Sequence, residues 1–132
     1  MSRIHHVAAA LAVALLAPLA ASAATPQEQL AAYVQATGTR ADALAGQAFF
    51  SAKHGRDWSC STCHTTTPTV TGKHATTSKS IAPLAPVADA ARFTDAAKTE
   101  KWFRRNCNDV VGRECTSTEK ANVLAWLLSL KA

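Results

Sequence analysis

"CSTCH", Cys60 to His64, decides how the rest of the chain is read. The pattern is C-x-x-C-H, the spacing of covalent c-type haem attachment. Two thiols so spaced reach the two vinyl groups of one porphyrin. The histidine that follows is thereby delivered to the iron from the same side. Two other chemistries use closely spaced cysteines. A thioredoxin-like redox pair needs a βαβ context, and none surrounds these residues. A zinc site asks for a second close Cys/His pair, and the remaining cysteines, Cys107 and Cys115, are poorly spaced for one. The motif predicts one haem c, with Cys60 and Cys63 as thioethers and His64 as the proximal axial ligand.

Upstream, the chain opens "MSRIHHVAAALAVALLAPLAASAATP". Arg3 provides a short positive start, and Val7 to Ala21 is apolar. That run is too short to cross a bilayer and is broken by Pro18. Ala21-Ser22-Ala23 is an A-x-A cleavage site. Residues 1–23 therefore read as a secretory signal peptide, against the alternative of an uncleaved anchor. Residues 24–132 then form one monohaem domain, exported to the periplasm and not membrane-spanning after cleavage. Loss of Arg3 takes the formal charge from +5 to +4. No dense Lys/Arg run appears, so a nucleic-acid partner is not expected. An oxidising compartment lets disulfides persist.

Four helical patterns predict an all-α fold. Thr25-Pro26 opens the first, which places Leu30, Tyr33 and Val34 on one face and ends at Gly38. The second runs from about Arg40 to Lys53, with Leu44, Ala48, Phe49 and Phe50 apolar. The third is "FTDAAKTEKWFRRN", with Thr94 as its expected N-cap. The last is "TSTEKANVLAWLLSL", where Thr116 and Glu119 form a capping-box pair. Between the second and third lies an irregular stretch, residues 65–92, with no hairpin signal. A loop that long in a small domain normally wraps something or is disordered.

The sixth ligand is the open question. Methionine is usual in small cytochromes of this kind, but the sole methionine is Met1. His54 lies close before the motif, near the end of the second helix. His74 lies in the irregular stretch, as a ligand or as a solvated loop residue. Lysines and an open position are further options. Just before the terminal helix comes "RRNCNDVVGREC". Thr99, Trp102, Phe103 and Asn106 fall at i, i+3, i+4 and i+7 and share one helix face. Arg104, Arg105 and Asn108 lie off that row. Asn106 is then either an inward-facing axial ligand or a helix C-cap. A carbonyl near Pro83 is a candidate to hold the second ring nitrogen of His64. Lys73, Lys79, Arg92 and Arg113 are candidates to pair with propionates or to stay solvated.

Two resemblances follow from these residues. Gly46-x-x-x-Phe50 with Trp126 in the terminal helix resembles the class I cytochrome c fold, where a small residue lets two core helices cross closely. "RFTDAAKTEKWFRRNCNDVVGREC", with "CSTCH" upstream and "EKANVLAWL" downstream, resembles the sphaeroides haem proteins (SHP), over most of residues 40–130. That resemblance implies Asn106 as the distal ligand of ferric iron, leaving on reduction so that oxygen or nitric oxide binds. It implies a disulfide between Cys107 and Cys115. It also implies redox partners: a dihaem cytochrome c and a membrane cytochrome b.

Three functions are open at this point. The first is a redox-gated binder of diatomics linked to electron transfer. The second is an electron carrier with a fixed sixth ligand such as His74. The third is a terminal oxidoreductase acting on oxygen, nitric oxide or peroxide. Apart from Asp109, no general acid or base stands beside Asn106, and there is no nucleophile constellation, so no catalytic residue is assigned and a gas-binding cytochrome is favoured over a dedicated enzyme.

Overall fold

A computed structural model describes residues 23–132, so the predicted leader lies outside the described residues except for Ala23. Helix α1 spans Pro26–Thr37. The Glu28 amide donates to the Thr25 hydroxyl at 3.2 Å, and the Thr25 amide donates to the Glu28 carboxylate at 2.7 Å. This closes a capping box. Gly38, at φ +65°, ends the helix by donating to the Val34 carbonyl. Helix α2 is Ala43–Ser51. It starts later than the periodicity suggests, because the Asp42 carboxylate accepts from the amides of Leu44 and Ala45 and fixes the first turn there.

The haem motif itself forms a short helix, α3, Cys60–His64. Helix α4 covers Ala96–Val110. Its N-cap is Asp95 rather than Thr94: the Asp95 carboxylate accepts from the Lys98 amide at 2.9 Å. The Thr94 hydroxyl instead donates backwards to the Ala91 carbonyl. Helix α5, Ser117–Ser129, starts on the expected Thr116/Glu119 capping box.

The irregular stretch holds one regular piece that the sequence did not announce. Gly72–Lys73 (β1) and Ser80–Ile81 (β2) pair antiparallel, Gly72 opposite Ile81. With only two residues a side there is no alternation to read. The rest of the stretch is pinned locally: the Leu84 and Ala85 amides both donate to the Pro68 carbonyl.

α2 packs mainly on α5, and α1 on α5 as well. Gly46 makes the first crossing possible, since a β-carbon there would stand 2.0 Å from the Asn122 carbonyl oxygen. The buried core of this crossing is Phe50, Val123, Trp126 and Leu127. The buried face of α2 is thus Gly46 and Phe50, while Leu44 is 78% exposed. A second tie joins α1, α4 and α5. The Tyr33 hydroxyl donates to the Glu100 carboxylate, which also pairs with Lys120 at 2.6 Å. Burial and the Glu100 carboxylate keep the Tyr33 phenol protonated far above its ordinary range.

Candidate haem site

Between the α2–α5 core and α4 the fold leaves a cavity of about 630 Å³. That is within the range of roughly 300–1,000 Å³ common to cofactor pockets. Apolar side chains dominate its inner walls: Phe50, Val123 and Leu127 from the core, with Leu84, Phe93 and Phe103. Phe93 reaches it from a left-handed backbone, φ +59°, held where the Gln29 side chain donates to the Phe93 carbonyl.

Cys60, Cys63 and His64 all border this cavity, and neither cysteine is in a disulfide. Burial raises the Cys60 thiol to about 11. Burial first, then the nearby Arg92 charge, lowers the His64 imidazole to about 4. A neutral imidazole is the form that ligates a metal. Gly72 of β1 seats the hairpin against this motif, because a β-carbon there would lie 2.1 Å from the Cys63 carbonyl oxygen. The Ala75 amide, 3.3 Å from the Cys63 sulfur, adds a second contact. Two free thiols, a neutral imidazole and an aromatic-walled cavity of this size fit a covalently attached porphyrin.

Asn106 borders the same cavity from α4. The helix continues to Val110, so Asn106 is not a C-cap. No described residue hydrogen-bonds its carboxamide. Asn108 is turned away, its amide donating to the Arg104 carbonyl. Cys107, buried beside Asn106, is bonded to Cys115.

His54 is engaged elsewhere. Its Nε2 is 2.8 Å from the Phe49 carbonyl, and it does not border the cavity. His74 does border it. Its Nδ1 accepts from the amides of Thr76 and Thr77, both at 3.2 Å. The Pro83 carbonyl is bonded by Arg92 Nε at 2.8 Å, while Arg92 Nη2 reaches the Ala82 carbonyl at 2.7 Å. No carbonyl near Pro83 is hydrogen-bonded to His64 among the described residues.

Of the four cations considered for propionates, Arg92 alone borders the cavity and is not simply solvated. Arg113 pairs with Glu119, and Lys73 and Lys79 are exposed. Two features of α4 differ from its sequence reading. Trp102 is 43% exposed, a rim residue rather than a core one. Arg105, expected on another face, also borders the cavity. So does Asp109, whose position three residues beyond Asn106 is the only sequence signal that could have placed it there.

A small helical fold wrapped around a porphyrin-sized cavity, with C-x-x-C-H on its wall, defines a monohaem c-type cytochrome. Residues 36–127 match the family model of a domain of unknown function, DUF1924. The chain is 47% identical over 121 residues to the cytochrome c-type protein SHP of Cereibacter sphaeroides, covering 89% of this chain and 93% of that one. The solved structure of oxidised SHP, an oxygen-binding cytochrome c, superposes with a TM-score of 0.76 at 47% identity. It covers 81% of this chain and 98% of that one. Oxidised cytochrome c'' from Methylophilus methylotrophus superposes at 0.73 with 32% identity, over 81% and 95% of the two chains. A solution structure of the same protein, which addresses haem-ligand detachment, superposes at 0.71 with 34% identity, over 80% and 93%. The chain belongs to this family, that of the SHP-type c cytochromes, and its cofactor is one covalently attached haem c.

Proposed function

We propose that this is a periplasmic, redox-gated binder of oxygen, nitric oxide or similar diatomics. Haem, when bound, would supply an iron that changes oxidation state. Cys60 and Cys63 anchor the group, and His64 holds the proximal position. Asn106 would hold the iron through its carboxamide oxygen in the oxidised protein. A carboxamide oxygen is a hard, weak donor, better matched to ferric than to ferrous iron. On reduction Asn106 withdraws, and its N–H₂ becomes available as a donor toward the incoming ligand.

The observation that carries this reading is the Asn106 carboxamide, without a hydrogen bond to any described residue, on the cavity wall of a chain whose sole methionine is Met1. Oxygen binding by SHP and ligand detachment in cytochrome c'' are the family precedents that support it. The fixed-ligand carrier reading is less well supported at His74, whose Nδ1 accepts from two backbone amides, so that its ring is held by the loop rather than by a carboxylate or carbonyl. Export through the 1–23 leader, and electron supply from a dihaem cytochrome c and a membrane cytochrome b, belong to the same proposal.

Absorption spectra of the oxidised and reduced holoprotein, with and without carbon monoxide, test it. Asn106→Ala is expected to turn the ferric spectrum into that of a water-bound or five-coordinate haem. An unchanged ferric spectrum would remove Asn106 from the iron.

A further inference from the structure

On α4 Asn106 has four neighbours one turn away, and all four border the haem cavity: Trp102, Phe103, Asp109 and Val110. Helical rotation sorts them into two pairs. Trp102 and Asp109 fall on one side of Asn106 around the helix, Phe103 and Val110 on the other. Exposure follows the same division. Trp102 and Asp109 are exposed and form an outer rim. Val110 is buried, and Phe103 is half-buried against the Phe50–Trp126 core. Asn106 therefore stands between an open rim and a closed apolar wall.

Phe103 is the larger member of that wall, and it is braced twice. The Phe93 ring lies 6.4 Å from it, tilted at 37°. The Tyr33 ring meets it edge-on, 6.1 Å away. Both separations fall in the range of roughly 4.5–7 Å that favours aromatic pairs. Each brace is itself tied down. The buried Gln29 side chain donates to the carbonyl of Phe93, whose backbone is left-handed. A residue other than glycine persists in that conformation when its surroundings over-determine it. The Tyr33 hydroxyl donates to the Glu100 carboxylate, which is paired with Lys120. The Lys120 ammonium also lies over the Tyr33 ring, 5.7 Å from its centroid.

We propose that Phe103 is a specificity-determining residue. Braced by Phe93 and Tyr33, it closes the inner side of the position that Asn106 leaves and confines that position to slim ligands such as diatomics. The physical reason is close packing. A side chain packed on both sides relaxes only partly when something larger is pressed against it. A ligand with a branched tail must displace Phe103, and with it Phe93 or Tyr33. No charge is involved, so the discrimination is by bulk. This inference rests on the Asn106 reading.

The test compares carbon monoxide with tert-butyl isocyanide. Both bind ferrous haem through a terminal carbon, and they differ in bulk. The quantity read is the ratio of their affinities for reduced holoprotein. Phe103→Ala is expected to shift the ratio toward the isocyanide by about tenfold, while carbon monoxide alone changes by less than about threefold. Phe103→Leu should shift it the same way by about threefold, and it decides should Phe103→Ala not accumulate as holoprotein. Gln29→Leu keeps the Phe103 ring but releases the Phe93 carbonyl, and should move the ratio in the same direction by about twofold. A merely structural loosening would weaken both probes together. An unmoved ratio in Phe103→Ala would overturn the assignment, as would equal changes for the two probes. An unmoved ratio in Gln29→Leu would overturn the bracing. The ferric spectrum of Asn106→Ala separates this inference from the reading beneath it. An unaltered spectrum removes Asn106 from the iron, whereas an altered spectrum beside an unmoved Phe103→Ala ratio removes Phe103 from the path of the ligand.

Discussion

Gly46 leaves no room for a β-carbon, and what it would strike is backbone. The Asn122 carbonyl oxygen, 2.0 Å away, belongs to α5 and cannot rotate aside. Gly46→Ala must push α2 off α5, the crossing that carries Phe50 and Trp126. Overpacking typically costs about 1–3 kcal/mol and occasionally more. With backbone as the obstacle we expect at least about 3 kcal/mol, read as a fall in thermal midpoint of more than about 10 °C. A midpoint within about 2 °C of wild type would show that the helices have slack. The same reasoning applies to Gly72 against the Cys63 carbonyl, where the hairpin would be pushed off the haem motif. These two glycines differ in legibility. Gly46 is readable because it stands at helical spacing from Phe50. Gly72 lies in a stretch without periodicity, and its role exists only once the chain has folded back on α3. The carbonyl partners of Arg92, at Ala82 and Pro83, are similarly silent in sequence, since they come from a loop with no regular pattern. The place of Asn106 on the cavity wall is readable because it shares a helix face with Thr99 and Phe103.

The junction between α4 and α5 is one element with two fasteners. Cys107–Cys115 closes a loop of nine residues. In the chain-entropy model that is worth about 2.6 kcal/mol. Cys107→Ser with Cys115→Ser should lose about that much in denaturant unfolding of the holoprotein. A smaller loss would mean that the haem and the α5 cap already order the loop. The cap is the second fastener. Thr116→Ala removes its hydroxyl and should cost about 1 kcal/mol. Glu119 adds a pH dependence. The Arg113 guanidinium, by hydrogen bond, holds its carboxyl below the usual carboxylate range, partly opposed by burial. The folded form therefore releases this proton more readily than the unfolded chain does. Its contribution is complete above the unfolded value of 4.5 and is lost as pH falls through the lower folded value. Glu119→Gln keeps an acceptor for the cap but no charge, so its thermal midpoint should fall less steeply between about pH 5 and 3 than that of wild type. Parallel slopes would remove Glu119 from the acid response. The capping box was legible because its two residues lie three apart. The α4 start lies one residue beyond the expected Thr94, because Thr94 and Asp95 are both good caps and only the backbone decides which faces the first turn.

At the scale of the whole molecule, the core and the haem cavity share their walls. Phe50, Val123 and Leu127 belong to the buried cluster and also border the cavity. A domain of this size has one modest core. Three of its four central side chains also line the cavity, although the protein alone already leaves them no more than 4% exposed. An apolar space of about 630 Å³ without an occupant forfeits dispersion and burial on every wall. The apoprotein should therefore lose specific packing before it loses its helices. The capped helices α1 and α5 and the Cys107–Cys115 bridge do not depend on the haem. They should keep the chain compact, while the Trp126 environment loosens. Cys60→Ser with Cys63→Ser, produced without covalent haem, is expected to retain most of its far-ultraviolet circular dichroism. It should lose near-ultraviolet signal, bind the dye ANS and unfold without a sharp transition. A cooperative thermal transition with native near-ultraviolet signal would show instead that the α2–α5 crossing is sufficient and that the haem is a guest in a finished fold. The sequence motif makes the first outcome the expected one. C-x-x-C-H joins the cofactor to the chain by two covalent bonds, which gives a small helical domain a permanent apolar centre that its own side chains leave unfilled.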